Sequence, residues 1–172
     1  IFKKAANLIE DKYRDQLIAY TILGQGKSMY EADIDAACEL ADFWNFNSHY
    51  SEEILSRQPI STKGVCNSSI YNPLKGFVAA ITPFNFTAIG GNLASAPLLF
   101  GNSVLWKPSD NAVLSNYLFY EIMLEAGLPR GILNFCPMSP NSFFKEVNKS
   151  NDLSAVLFTG SSMVFNDIYC QV

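Results

Sequence analysis

A lysine, an asparagine and a glycine-serine pair follow three of the apolar runs in this 172-residue chain. Asn85 comes shortly after the first run, Lys107 closes the second, and Gly160 and Ser161 follow the last. An amide beyond a strand end can form hydrogen bonds with a ligand, and lysine can bind hydroxyl or phosphate oxygens. A Gly-Ser pair at the start of a helix leaves free N–H groups that favour phosphate. These residue types together predict a nucleotide site.

A plainer interpretation of the same residues stays open. The G-x-G-x-x-G motif of dinucleotide-binding proteins is absent, so Lys107 is alternatively an ordinary lysine at a strand end and Gly160 part of a simple turn. LGQGKS at 23–28 is similar to a phosphate loop, but Thr21 stands where the motif needs its first glycine. We therefore interpret it as a turn that ends a helix, with Gly24 near the C-cap.

The stretch from Gly76 to Pro108 has to position these residues. It holds no charged residue between Lys75 and Lys107, and its glycines and prolines interrupt it too often for a membrane span. It begins with GFVAAI, continues through a small-residue helical segment and ends with SVLW, which predicts a βαβ unit. Because ligands bind beyond the carboxyl ends of parallel strands, the polar residues at these ends form the candidate site.

Alternation of strands and helices continues to the end of the chain. Strands are predicted at 76–82, 103–107, 132–136 and 153–158, and helices at 111–126, at 140–149 and after Ser161. The predicted fold class is α/β, a doubly wound parallel sheet of Rossmann-like type. Two amphipathic helices, 2–23 and 30–57, precede the sheet, and the second is expected to bend or break at 45–48. The alternating run VCNSSIY at 65–71 predicts a half-exposed strand that pairs elsewhere in the chain or with another subunit.

Composition excludes several classes of function. The net charge of −4 without a basic cluster argues against nucleic acid as a partner, and no polybasic face suggests a membrane surface. Four scattered cysteines and one histidine form no zinc pattern, so no metal is expected, and a reducing compartment is the simpler interpretation. Both ends lie inside amphipathic patterns and are expected to be cut, with any targeting peptide lost.

Four ordered motifs resemble the cofactor-binding half of an NAD(P)-dependent aldehyde dehydrogenase. They are ITPFNF at 81–86, LWKPS at 105–109, EAGLPRGILNF at 125–135 and FTGS at 158–161. GFVAAITPFNFTAIGGNLA at 76–94, ADIDAACELADF at 32–43 and LGQGK at 23–27 are similar to one member family, the Δ1-pyrroline-5-carboxylate dehydrogenases. That resemblance implies oxidation of L-glutamate-γ-semialdehyde to L-glutamate in proline degradation, with NAD as cofactor.

The resemblance also implies roles for individual residues. Asn85 would donate to the oxyanion during the reaction, Phe86 would flank the aldehyde, and Glu39 would line the substrate end. Lys107 would bind the adenosine ribose, and the segment from Gly160 would approach the pyrophosphate. The full set implied for NAD is Thr82, Pro83, Phe84, Lys107, Pro108, Ser109, Gly160, Ser161, Ser162, Met163 and Val164.

The family pattern implies a partial NAD-binding domain over 1–172, with a helical lead-in at 1–62, an oligomerisation-type strand at 63–73 and βα units at 74–172. A homodimer or higher homo-oligomer is expected, in the mitochondrial matrix of a eukaryote or otherwise in the cytoplasm. The family's nucleophilic cysteine and general-base glutamate lie downstream of FTGS, so these 172 residues alone are expected to be inactive. The alternatives are an inactive nucleotide-binding or dimerisation module, and an aldehyde dehydrogenase of other specificity.

Overall fold

Four parallel strands form the sheet around which the chain folds. The computed structural model describes residues 1–172, and its strands are β1 Phe77–Ile81, β2 Ser103–Lys107, β3 Leu133–Phe135 and β4 Leu153–Phe158. The order across the sheet is β3-β2-β1-β4, so the chain moves outward from β1 and returns to its other side with β4. The predicted strands and the doubly wound parallel layout are confirmed.

Eight α-helices surround the sheet, and two of the connections between them are π-helical. The helices are α1 Phe2–Leu8, α2 Arg14–Gln25, α3 Met29–Ala32, α4 Leu40–Ser56, α5 Thr87–Ser95, α6 Val113–Ala126, α7 Pro140–Val147 and α8 Ser162–Tyr169. The π-helical segments Ile9–Tyr13 and Asp33–Glu39 make each of the first two helical stretches continuous, and 3-10 turns lie at Ala96–Phe100 and Asp110–Ala112. None of the helices combines the length and the apolar character needed to cross a membrane.

Alternate residues of each strand face two cores of different size. Val78 of β1 and Trp106 of β2 belong to a cluster of 24 buried residues that includes side chains of α1, α2 and α4 to α6. Phe119 of α6 joins the layers, with its ring centroid 4.8 Å from that of Trp44 and 5.1 Å from that of Trp106. Ala79 faces the other way, where α7 forms a cluster of only three buried residues with β1.

The expected break at 45–48 is wrong, because α4 runs through these positions without interruption. Ser48 donates its hydroxyl to the Trp44 carbonyl at 2.7 Å, so this buried polar residue is satisfied within its own helix. The irregular segment is instead Asp33–Glu39, immediately before α4. The polar residues thus interrupt the apolar pattern without ending the helix.

The strand predicted at 65–71, within 63–73, does not form inside this chain, and its pairing with another subunit stays a prediction. Residues 57–75 contain one isolated antiparallel bridge, between Thr62 and Val65, and they are exposed throughout. Gln58 holds the segment in an irregular conformation, since its side-chain oxygen accepts from the Ser69 N–H at 2.7 Å. Alternation alone does not make a strand when no other strand pairs with the segment.

The turn after α2 ends a helix as predicted, but the capping residue is different. Gly26, with φ of 70°, occupies the left-handed C-cap position, and its N–H donates to the Ile22 carbonyl. Gly24 lies two residues earlier and packs against Asn111, where a Cβ would come within 2.3 Å of the carbonyl oxygen. The missing side chain of Gly24 therefore allows close packing, and that of Gly26 allows the left-handed turn.

Candidate functional site

The strand register brings three strand ends to one edge of the sheet. Ile81 at the end of β1 pairs with Lys107 of β2 on one side and with Phe158 of β4 on the other. Backbone bonds continue past the strands, from the Thr82 N–H to the Lys107 carbonyl at 3.2 Å and from the Thr159 N–H to the Ile81 carbonyl at 3.3 Å. The predicted convergence of these ends is therefore present.

A cavity of about 570 Å³ opens beside this edge, on the α7 and α8 face of the sheet. Ile81 and Lys107 form its floor because alternate residues of paired strands point to the same face. Its remaining lining is Pro140, Asn141, Phe143, Phe144, Lys145, Asn148, Lys149, Val164, Asp167, Ile168 and Gln171. The volume is in the range of cavities that hold small-molecule ligands.

Lys107 presents a buried ammonium to this cavity. Its side chain is only 5% exposed, and Nζ makes no hydrogen bond within the chain. Its nearest charge is the carboxylate of Asp110, with Oδ1 at 3.6 Å. A buried cation normally has hydrogen-bond partners, so this one has donors left for ligand oxygens.

The segment from Gly160 begins α8 at the rim of the cavity. Ser161 is the N-cap, and its hydroxyl accepts from the Val164 N–H at 3.3 Å, whereas the N–H groups of Ser162 and Met163 have no partner in the chain. A Cβ on Gly160 would come within 2.5 Å of the Phe158 ring. Of the residues from 160 to 164, Val164 lines the cavity, and the others are exposed beside it.

Several predicted cofactor residues lie outside the cavity. Thr82 points to the opposite face, where its hydroxyl accepts from the Trp106 indole N–H at 2.9 Å and its residue is 4% exposed. Pro83 and Pro108 are buried, and Ser109 is half-buried as it enters the 3-10 turn before α6. The Thr82 side chain therefore supports the core.

The predicted catalytic amide lies on a loop between β1 and α5, separate from the cavity lining. Phe84, Asn85 and Phe86 are all exposed there. Asn85 makes no hydrogen bond with any other part of the chain, so its amide is available to a ligand at the carboxyl end of β1. Of the predicted residues, Lys107 and Val164 thus line the cavity, whereas Phe84, Asn85 and Phe86 lie on an exposed loop.

Sequence reasoning missed an ion pair that connects this loop to the helical lead-in. Lys27 Nζ lies 4.0 Å from the centroid of the Phe86 ring and donates to Asp35 Oδ2 at 2.7 Å. Asp35 is 2% exposed. A signal was present in the sequence, since Ala32, Ala36 and Leu40 recur at helical spacing and Asp35 stands next to Ala36. A carboxylate at such a position requires a specific partner.

Glu39 lies half-buried in the π-helical segment near this pair. Burial raises the pKa of its carboxyl, and the negative charge of Asp35 raises it further, while Lys27 acts in the opposite direction. No group of three or more His, Cys, Asp and Glu side chains comes together as a metal site.

The parallel sheet, its strand order and the helices on both of its faces define a Rossmann-like α/β protein. The chain belongs to the aldehyde dehydrogenase family, whose sequence model matches residues 1–172.

Curated relatives and solved structures agree with this assignment. The chain is 51% identical over 172 residues to the mitochondrial delta-1-pyrroline-5-carboxylate dehydrogenase of Homo sapiens, covering 100% of this chain and 31% of that protein. It is 50% identical over 173 residues to the corresponding Emericella nidulans protein, covering 100% and 30%. The Mycobacterium tuberculosis Delta-pyrroline-5-carboxylate dehydrogenase bound with NAD superposes with a TM-score of 0.97 at 45% identity, over 99% of this chain and 32% of that one. The chain thus spans about a third of the length of its relatives.

The pKa of Glu39 gives a prediction about pH. A raised pKa means that the folded protein holds the proton more tightly than the unfolded chain, whose ordinary value is 4.5. Its contribution to stability is present in acid and is lost as the pH rises through the raised pKa. Glu39→Gln, which stays neutral, should therefore raise the thermal midpoint at pH 7 and change it little at pH 4. The exposed Glu10→Gln is the control, and an equal shift at both pH values would contradict the prediction.

Proposed function

We propose that this chain is the NAD-binding portion of a dehydrogenase that oxidises L-glutamate-γ-semialdehyde (Δ1-pyrroline-5-carboxylate) to L-glutamate. The observation that carries the proposal is the buried ammonium of Lys107, which has free donors and faces a cavity of about 570 Å³ at the carboxyl edge of the sheet. The similarity to delta-1-pyrroline-5-carboxylate dehydrogenases over the whole chain supports this substrate.

Residues in and around the cavity fit a dinucleotide. Lys107 would donate to the ribose hydroxyls, and the N–H groups of Ser162 and Met163, at the start of α8 beside the cavity, would bind the pyrophosphate. Asp110 lies outside the cavity lining, but its Oδ1 is 3.6 Å from Lys107 Nζ, and its charge would disfavour a phosphate on that ribose, which favours NAD over NADP. When bound, NAD supplies the hydride acceptor for aldehyde oxidation.

The exposed loop after β1 orients the aldehyde in this proposal. The Asn85 amide donates to the carbonyl oxygen as negative charge develops on it, which lowers the transition state more than the ground state. Phe86 flanks the aldehyde and excludes water from one side, and Glu39 lines the substrate end. These three residues bind and orient the substrate, whereas the cavity binds the cofactor.

We further infer that residues 57–75 pair with another copy of the chain. They are exposed throughout and carry the apolar side chains of Ile60, Val65, Ile70 and Leu74, which a monomer would leave in water. Sedimentation of the native protein should give the mass of a dimer or a larger homo-oligomer, and a monomer mass would contradict this inference.

The similar proteins of Homo sapiens and Emericella nidulans are mitochondrial by name, and we propose the same compartment if the source is a eukaryote.

Lys107→Ala tests the cofactor site. In the native protein that carries this chain, loss of the ammonium should weaken NAD binding by about 1.5–3 kcal/mol, the usual value for a hydrogen bond to a charged group. Lys3→Ala is the matched control, because Lys3 is an exposed lysine on α1 whose only ion pair is with Glu52. Calorimetric titration that gives equal NAD affinity for the Lys107 variant and the wild type would refute the assignment.

Asn85→Ala tests the oxyanion role. The variant should lower kcat for aldehyde oxidation by about 10²–10³, because one donor to the developing charge is lost. NAD affinity should stay the same, since the amide lies outside the cavity. Asn45→Ala is the control, because Asn45 is an exposed asparagine within α4. A variant that loses NAD binding while the chemical step is intact would show that Asn85 contacts the cofactor instead.

A further inference from the structure

The carboxylate of Asp35 acts as the N-terminal cap of α5 from a distant part of the chain. Its Oδ2 accepts from the Thr87 N–H at 2.9 Å, and its Oδ1 accepts from the Ala88 N–H at 3.0 Å. Phe86, at the N-cap position, has no side chain that can do this. The start of α5 is therefore fixed by a residue 52 positions earlier, in the π-helical segment.

Lys27 completes the same unit by contacting both the cap and the loop. Its side chain is 15% exposed, and its ammonium donates to Asp35 Oδ2 while lying over the Phe86 ring. A buried carboxylate is costly without a partner, and a cation over an aromatic face is attracted to the ring. One ammonium therefore neutralises Asp35 and holds Phe86 in place.

Asn85 directly precedes the residues that this ion pair holds. Its amide has no hydrogen bond in the chain, so its direction depends on the backbone at 86–88. Two of those three residues donate backbone N–H groups to Asp35, and the third carries the ring below Lys27. The Thr87 hydroxyl also lies within hydrogen-bond distance of Thr21, Gln25 and Ser115, so the ion pair is one of two sets of contacts that hold this backbone.

We propose that Lys27 and Asp35 are positioning residues for the Asn85 amide. This inference rests on the proposed function, because only an aldehyde oxidation that uses Asn85 gives the amide direction a catalytic effect. The ion pair contacts neither Asn85 nor the cavity lining, so it acts through the backbone of 86–88. Loss of the pair lets the loop move and displaces the donor, and a shift of about 1 Å in a positioned group costs up to about 10²-fold in rate.

The experiment uses three variants of the native protein that carries this chain. Lys27→Met removes the charge and keeps the apolar stem, Lys27→Arg keeps a cation that can reach both the carboxylate and the ring, and Lys12→Met is the control. Lys12 forms an ion pair of the same length, 2.7 Å, with Glu125, but its side chain is 53% exposed. Each variant is measured for kcat, for NAD affinity and for amide hydrogen exchange at 82–90.

The expected results separate positioning from general loss of stability. Lys27→Met should lower kcat by about 10–10² with NAD affinity changed by less than about twofold, because binding in the cavity is untouched. It should also speed exchange at 82–90, and exchange at the strands should stay slow. Lys27→Arg should restore kcat to within about threefold of the wild type, since the bridging charge is restored. Lys12→Met should match the wild type in all measurements.

Three results would overturn the inference, and a fourth would overturn only its premise. Unchanged exchange at 82–90 in a folded Lys27→Met protein would show that the pair does not hold the loop. Faster exchange with wild-type kcat, or a kcat that Lys27→Arg does not restore, would show that the loop order has no positioning role. A wild-type protein that binds NAD but oxidises no glutamate-γ-semialdehyde would refute the proposed function, and the exchange data would still decide whether the pair orders the loop.

Discussion

The parallel register of β1 with β2 and β4 is the constraint on which the rest of the structure depends. Pairing Ile81 with both Lys107 and Phe158 sets the ends of three strands side by side. The same register decides which face each side chain meets, because a shift of one residue would move Lys107 from the cavity into the main core. A buried lysine is tolerated there because its ammonium reaches the open edge and Asp110.

A buried polar cluster joins the helical lead-in to the helix that follows β1. Asp35 accepts three hydrogen bonds, two of them from backbone N–H groups of α5. Next to it, the Thr87 hydroxyl lies 3.0 Å from that of Thr21 and accepts from Gln25 at 2.7 Å. Removing one member of such a cluster leaves buried polar atoms of the others without a hydrogen-bond partner. The cluster is therefore stable only when all of its members are in contact. The cluster thereby fixes the place where α2 and α5 meet.

Local patterns predicted the sheet well, because the strand sequences differ from their surroundings. FVAAI and SVLWK are short apolar runs with polar residues at their carboxyl ends, and these features alone define the strands and the candidate edge. The two departures have different causes. Residues 65–71 alternate as a strand would but find no strand to pair with inside the chain, whereas the polar residues at 45–48 stay helical through local hydrogen bonds.

The candidate site was likewise predictable where it depends on local sequence and unpredictable where it depends on distant contacts. The position of Lys107 at the carboxyl end of a buried strand was predictable from the sequence. Only the cavity beside it had to come from the structure. The contacts of the Lys27–Asp35 pair with Phe86 and α5 were not predictable, because they join residues 52 or more positions apart. Periodicity indicates that Asp35 is buried and gives no sign of which N–H groups it meets. Long-range polar contacts of this kind are set by packing, which a single sequence does not display.

The two halves of the site are therefore held by different means. Lys107 is fixed by main-chain pairing within the sheet, on the face where only three buried residues form the core and a ligand has room to enter. Asn85 lies on a loop that side-chain contacts with the helices before the sheet hold in place, through Asp35 with Lys27 and through Thr87 with Thr21 and Gln25. Side-chain contacts constrain a segment less than backbone pairing within a sheet does. In the proposed site, the helices before β1 therefore take part by holding the loop that carries Asn85.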